Sequence, residues 1–424
     1  MTGRRRQVRR EATMLGPRHP KSPDPGPQSS GATRRSALGL LLGAPLLSAC
    51  AGVQQSLSQF SNPFSSSSTP PAQPAGPPQQ ATTAGTGGVK VAVILPLSAA
   101  GNAGLAAQSM RNAAEMALAE FQNPNIQLLI KDDNGSPQGA QAGAQQAIDE
   151  GAEIILGPLF AQSVPAVAQV ARTRGISVIA FSTDSSIAGR GVYLLSFLPE
   201  SDVNRIVEYS ASMGKRSVAV LVPDNAYGNV VEAAVKAAVP RRGGRIVAFE
   251  KYGADRATPA RTVAQQLGSA DALFIADDGD AVVTVADAMT AAGANLRNIQ
   301  LLGTGLWDNP RVYANANLQG GLYAAPDPAG FRAFSGRYRT KYGAEPIRTA
   351  TLAYDAVALV AALARTQGTT RFSSDVLTNP SGFAGIDGLF RFRADGTNER
   401  GLAVMKVTTG GGVAVAGSPK SFGA

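Results

Sequence analysis

Two loops concentrate the groups in this chain that could hold a small polar molecule. Residues 157–163 read GPLFAQS and residues 182–186 read STDSS, so both offer hydroxyls and backbone N–H groups. Such donors suit a carboxylate or another anion, and a helix starting near Ser163 would add the positive end of its dipole. Ser is also a preferred N-cap residue, so the Ser163 hydroxyl could serve the helix alone. Asp277, Asp278 and Asp280 form a further polar group, readable as a ligand or cation site or as a solvated turn at a strand end. Asp132 and Asp133 read as hydrogen-bonding groups at a lobe edge rather than as paired acid–base chemistry. The single Cys is Cys50 and the single His is His19, so the body past residue 50 has neither. That excludes Ser-His-Asp and Cys-His catalysis, the usual zinc ligand sets and a disulfide framework. Gly303-Thr304-Gly305 opens like a dinucleotide fingerprint but continues Leu306-Trp307-Asp308, without the third glycine. A binding protein with no catalytic residues, cofactor or metal fits this inventory.

The elements that must position these loops follow from apolar periodicity. Residues 154–156 are a short apolar run stopped by Gly157-Pro158. Residues 163–172 carry Val164, Val167, Ala168 and Ala171 at helical spacing, Gly175 ends that helix, and 176–181 is a second apolar, β-branched run. A strand–helix–strand unit with both strands apolar throughout predicts parallel strands buried on two faces. In such sheets ligands sit beyond the carboxyl ends of the strands, which aims both loops at one crevice. The same alternation starts at Val89 and restarts at Ser217, with strands expected at 89–96, 126–131, 193–197, 217–222, 245–251, 272–277 and 300–303. A C-terminal β segment is expected at 388–407. The fold class is α/β with parallel sheets in two lobes and a site between them.

A chain of 424 residues is too long for one compact core. Its net charge of +9 is misleading, because residues 1–49 carry nine Lys/Arg against two Asp/Glu and leave only +2 for the remainder. That balance gives no footprint for nucleic acid. Residues 1–49 read as a signal peptide with an N-terminal extension: Arg34-Arg35-Ser36 precedes an apolar run, 37–47, too short to span a bilayer. Leu47-Ser48-Ala49-Cys50 resembles a bacterial lipobox, which makes Cys50 the expected lipidation site and anchors the protein at the inner or outer membrane, in the periplasm. Residues 50–88 are rich in Pro, Ser, Gln, Gly and Ala, and read as a disordered tether spanning roughly 30–40 Å.

Several stretches, in order, resemble one family over about residues 89–410. They include Lys131-Asp132-Asp133-Asn134, Gly151-Ala152-Glu153-Ile154-Ile155-Leu156-Gly157-Pro158, Pro223-Asp224-Asn225-Ala226-Tyr227-Gly228 and Ala353-Tyr354-Asp355-Ala356. Gly385-Ile386-Asp387-Gly388-Leu389-Phe390-Arg391-Phe392 completes the set. The chain is similar to the type I periplasmic binding proteins of the leucine/isoleucine/valine-binding kind. The resemblance implies two Rossmann-like lobes joined by three crossing strands near Pro199, Ala325 and Phe372. Lobe 1 would then hold 89–199 and 326–372, and lobe 2 would hold 200–325 and 373–424. It also implies that Ala161, Gln162 and Ser163 hold a ligand carboxylate, with Ser182 and Thr183 adding contacts and Tyr227 reaching in from the second lobe. Trp307, the only Trp, would fall in part of the second lobe's ligand wall, or else pack on its own lobe away from the crevice. The family's acidic residue for a ligand ammonium has no counterpart at 303–306, and Asp277, Asp278 or Asp280, at the end of the preceding strand, could substitute. The implied role is capture of an amino-acid-like or small polar solute for an ABC-type permease. The chain also resembles the binding-protein-like domain of penicillin-binding protein activators, lipoproteins that stimulate a peptidoglycan synthase by contact.

Overall fold

A computed structural model describes residues 82–422. The leader, Cys50 and residues 50–81 of the tether lie outside the described residues. Two sheets organise the folded body. The first runs in the order β1-β3-β2-β4-β5-β6, built from β1 (Thr83–Ala84), β2 (Val89–Leu95), β3 (Ile126–Asp132), β4 (Ile154–Leu156), β5 (Ser177–Ala180) and β6 (Val192–Leu194). All neighbours are parallel except the β1–β3 pair. The apolar runs are buried because helices cover both faces. Asn102–Glu120 and Ala350–Thr366 cover one face, and Pro137–Asp149 and Val164–Thr173 cover the other.

The second sheet contains β7 (Ser217–Pro223), β8 (Arg245–Tyr252), β9 (Ala272–Ile275), β10 (Gln300–Gly303) and β11 (Leu322–Ala325), all parallel. A small antiparallel sheet of β12 (Phe383–Gly385), β13 (Gly388–Phe392) and β14 (Asn398–Arg400) comes next in the chain. Then β15 (Ala403–Thr408) and β16 (Gly411–Ala416) return to the second sheet, β15 antiparallel to β11. No helix among the described residues is long and apolar enough to cross a membrane.

Two sequence expectations are corrected here. The tether does not end at residue 88: Thr83 and Ala84 pair with Leu129 and Leu128 at the sheet edge, and Gly87 N donates to Ile126 O. The third crossing is not at Phe372. Residues 372–400 stay on the first lobe, because Phe372, Leu377, Phe390 and Phe392 bury in the core that contains Tyr193 and Leu352. Tyr193 OH donates to Ser374 Oγ at 3.0 Å, fastening this stretch to β6. The chain crosses at Gly401 and Leu402, and Leu402 enters the second lobe's core.

The crossing segments are locked by buried charge. Arg348 forms a two-pronged pair with Asp387, whose carboxylate is buried and also accepts from Thr351 Oγ1. Phe197, on the first crossing, has the Arg348 guanidinium 4.6 Å and the Arg400 guanidinium 4.7 Å from its ring centroid. Planar cations stacked on an aromatic face hold the crossing, together with the hydrogen bonds that Arg400 Nε and Asn398 Nδ2 donate to Ser196 O, both at 2.8 Å.

Candidate functional site: the crevice between the lobes

The first lobe's wall is built where β2, β3, β4 and β5 end. Gly157 has φ +107, and a Cβ there would lie 2.1 Å from Ile94 O, so only glycine lets the β4 loop pass this close to β2. The Gly157–Pro158 peptide is cis. Neighbouring loops are tied together: Gln162 Nε2 donates to Gly135 O at 3.1 Å, Phe181 N donates to Pro158 O at 3.0 Å, and Ser98 N donates to Asp132 Oδ1 at 3.2 Å. Asp132 and Asp133 therefore order a turn, with Gly135 N donating to Asp133 Oδ1.

Ser163 ends a 3-10 turn, Ala161–Ser163, that feeds the helix Val164–Thr173. Its side chain caps nothing, and its Oγ is buried with no hydrogen-bond partner among the described residues. Of the two uses open to this hydroxyl, capping is thus not the one adopted. A buried hydroxyl without a partner costs about 1–3 kcal/mol, which a ligand acceptor or water would recover. Ser182 is buried and its Oγ accepts from Asp184 N, while Thr183 is exposed beside it and Ala161 is half-buried. Ala161, Gln162, Ser163, Ser182 and Thr183 thus share one sheet end.

The second lobe answers with a smaller set. Tyr227 OH lies 2.8 Å from Thr304 Oγ1, and Thr304 is fully buried. Burial drives the Tyr227 phenol well above its usual range, so it stays a neutral donor and acceptor. Asp277 is half-buried at the end of β9; its Oδ2 accepts from Tyr252 OH at 2.9 Å, and desolvation raises its carboxyl pKa. Asp278 caps the helix Gly279–Ala291 and Asp280 pairs with Arg311, so neither is spare. Trp307 does not join this wall. It is fully buried in the second lobe's core, and its Nε1 donates to Ile275 O at 3.0 Å. The residue that the motifs missed is Asp202. It sits in the first turn of the helix Pro199–Ser212, and its Oδ2 accepts from Gly305 N at 2.9 Å within the second lobe. Burial pushes its carboxyl up to about 7, against the pull of that hydrogen bond and of Arg400. An acid at the start of a helix was the only signal in sequence, and it does not distinguish this role from a dipole partner. Among the described residues no group of three or more His, Cys, Asp or Glu side chains is placed to hold a metal ion.

Two largely parallel sheets, each covered by helices and joined by three crossings, define a two-lobed α/β protein. The periplasmic binding protein family model matches residues 88–412, and the chain belongs to that family, with the type I fold. Its fold is similar to a branched-chain amino acid ABC transporter periplasmic ligand-binding protein from Burkholderia xenovorans, with TM-score 0.62 and 18% identity over 79% of this chain and 95% of that one. It is also similar to a solute-binding protein of an ABC transporter from Rhodopseudomonas palustris in complex with 3,4-dihydroxybenzoic acid, with TM-score 0.54 and 19% identity over 78% and 98%. The LpoA C-domain from Haemophilus influenzae, described as a regulator of PBP1A, gives TM-score 0.62 and 16% identity over 77% and 100%. No curated protein matches the chain.

Proposed function

We propose that this protein is a non-enzymatic, lipid-anchored solute-binding protein of the periplasm that closes on a small carboxylate-bearing ligand and hands it to an ABC-type importer. The observation that carries this reading is the buried, unpartnered Ser163 Oγ at the start of a helix, a donor aimed at no protein acceptor. Asp277 and the Tyr227–Thr304 pair stand on the other lobe to meet the rest of the ligand. A thermal-shift screen of the full chain against amino acids and small carboxylates tests it. A true ligand at 100 times its Kd adds about 2.7 kcal/mol of stability. Ser163→Ala should weaken that ligand roughly 10- to 100-fold, the worth of a hydrogen bond to a charged group. An equally tight Ser163→Ala variant would remove Ser163 from the site.

The anchor is proposed at Cys50, on the Leu47–Cys50 pattern. Cys50→Ser should move the protein from the membrane fraction to the soluble one; retention on membranes through a high-salt wash would place the anchor elsewhere. A second reading, regulation of a peptidoglycan synthase by contact, is favoured by the likeness to the LpoA C-domain, all of which the chain matches. A screen without any ligand, together with co-purification of a synthase, would select that reading. Neither reading calls for nucleic acid.

A further inference from the structure

A cavity of about 880 Å³ lies on the flank of the hinge; Ser185 and Ser186, at the far end of the 182–186 loop, line it, but none of Ser163, Ser182, Tyr227, Asp277 or Thr304 does. Drug-sized pockets run from roughly 300 to 1,000 Å³. Six arginines line it: Arg205, Arg241, Arg242, Arg391, Arg393 and Arg400. Four carboxylates face them, Glu200, Glu208, Asp395 and Glu399, leaving an excess of two positive charges.

The pairing inside the cavity is incomplete. Glu399 serves both Arg391 and Arg393, at 2.8 and 3.2 Å, and Glu208 serves both Arg242 and Arg205, at 2.9 and 3.9 Å. Asp395 is used by its own turn, accepting from Thr397 N and Oγ1. Arg400 is 5% exposed; its Nε donates to Ser196 O, and both terminal nitrogens have no hydrogen-bond partner among the described residues. Asp202, Asp355 and Asp387 lie near enough to balance part of its charge. Leu198, Leu402, Pro419 and Phe422 supply an apolar wall.

We propose that this cavity is a second binding site, for a small organic polyanion whose phosphate or carboxylate groups are taken by the arginine forks. Guanidinium forks match both groups two-pronged, and the apolar wall accommodates a carbon skeleton. The lining comes from both lobes, Arg391 and Arg393 on the first and Arg205 and Arg242 on the second, and from the crossings at Leu198 and Leu402. An occupant therefore senses the angle between the lobes, and by linkage its affinity and that of a crevice ligand alter each other by one common factor.

Calorimetric titration of the full chain with inorganic pyrophosphate and with citrate, at matched ionic strength, tests this and separates the two chemistries. Saturable one-to-one binding of at least one probe is expected. The double variant Arg242→Glu with Arg393→Glu, both side chains about half-exposed, should weaken it at least tenfold, and Arg242→Gln with Arg393→Gln by less. Arg174→Glu with Arg261→Glu carries the same charge change on exposed residues away from the cavity and should leave affinity within twofold. The absence of saturable binding for both probes, or equal losses in the cavity and control variants, would overturn the proposal.

Discussion

Trp307→Ala should destabilise the second lobe by about 3–5 kcal/mol, the range for removing a fully buried large aromatic side chain. Every contact of this indole lies inside its own lobe. A Cβ on Gly303 would sit 2.2 Å from the ring and a Cβ on Gly321 2.8 Å, so two glycines on neighbouring segments make the slot. The indole N–H supports the end of β9 by donating to Ile275 O. Truncation therefore leaves a cavity beneath β10 and takes the indole donor from Ile275 O, and β10 leads directly into Thr304 and the Gly305 N–H that Asp202 accepts from. Urea unfolding of the full chain, followed by circular dichroism, reads the effect. Trp307→Phe should recover a good part of it, since it restores ring volume but not the donor. Intrinsic emission of the unmodified protein should be that of a dry indole and should stay unchanged when a crevice ligand binds. A Trp307→Ala midpoint within experimental scatter of the unmodified one would show that the ring is dispensable to the lobe.

The contrast between Trp307 and Ser163 explains what the sequence carries. The strands were legible because β2, β4, β5 and β7 are apolar but for Lys90 and the leading Ser177 and Ser217, which a sheet covered on both faces requires. The β4 loop was legible because Gly157-Pro158 breaks a strand where parallel sheets expose their ligand ends. Side-chain direction after a strand was not. Trp307 turns inward because Gly321, fourteen positions on, leaves it room, and no local period encodes that. Asp202 is 103 positions from Gly305, and their hydrogen bond exists only once the second lobe is folded. The third crossing was misplaced for a related reason: Phe383, Phe390 and Phe392 would satisfy the core of either lobe, and their choice is set by Tyr193, 5.5 Å from Phe392. The edge pairing of Thr83–Ala84 rests on a two-residue strand in a Thr/Ala/Gly context that composition reads as linker.

Stability should fall as pH rises from 5 to 8, and Asp355→Asn should remove much of that fall. Asp355 is 3% exposed on the helix Ala350–Thr366. Its Oδ1 accepts from Ile386 N at 2.8 Å and its Oδ2 has no hydrogen-bond partner among the described residues. Desolvation is the largest influence on it; Arg400 and Arg348 favour its charge, and Asp387 opposes it. The result is a carboxyl pushed from 3.8 up to about 7. Asp202 is pushed up to about 7 as well, again mainly by burial. A carboxyl raised in the folded state holds its proton there while the unfolded chain has already lost it. Its stabilising contribution is complete below about pH 4 and disappears as pH climbs through about 7. For Asp355 the difference amounts to roughly 4 kcal/mol between those limits. Glu150, Glu232 and Asp271 shift the other way, so their stabilisation is lost only on acidification, below the usual carboxylate range and outside this window. The raised tyrosines ionise above it, and the only histidine is His19 in the leader. Burial raises Asp133 and Asp277 as well, in the same direction, but Asp202 and Asp355 are the carboxyls pushed up to about 7, into the interval from pH 5 to 8. Asn at 355 keeps an acceptor for Ile386 N and cannot ionise, so urea midpoints at pH 5, 6, 7 and 8 should fall less steeply than those of the unmodified protein, with the largest gain at pH 8. Asp202→Asn should flatten the profile further when combined with it. A profile of unchanged slope in Asp355→Asn would mean that the Asp355 carboxyl ionises freely in the folded state and that its burial is relieved by water.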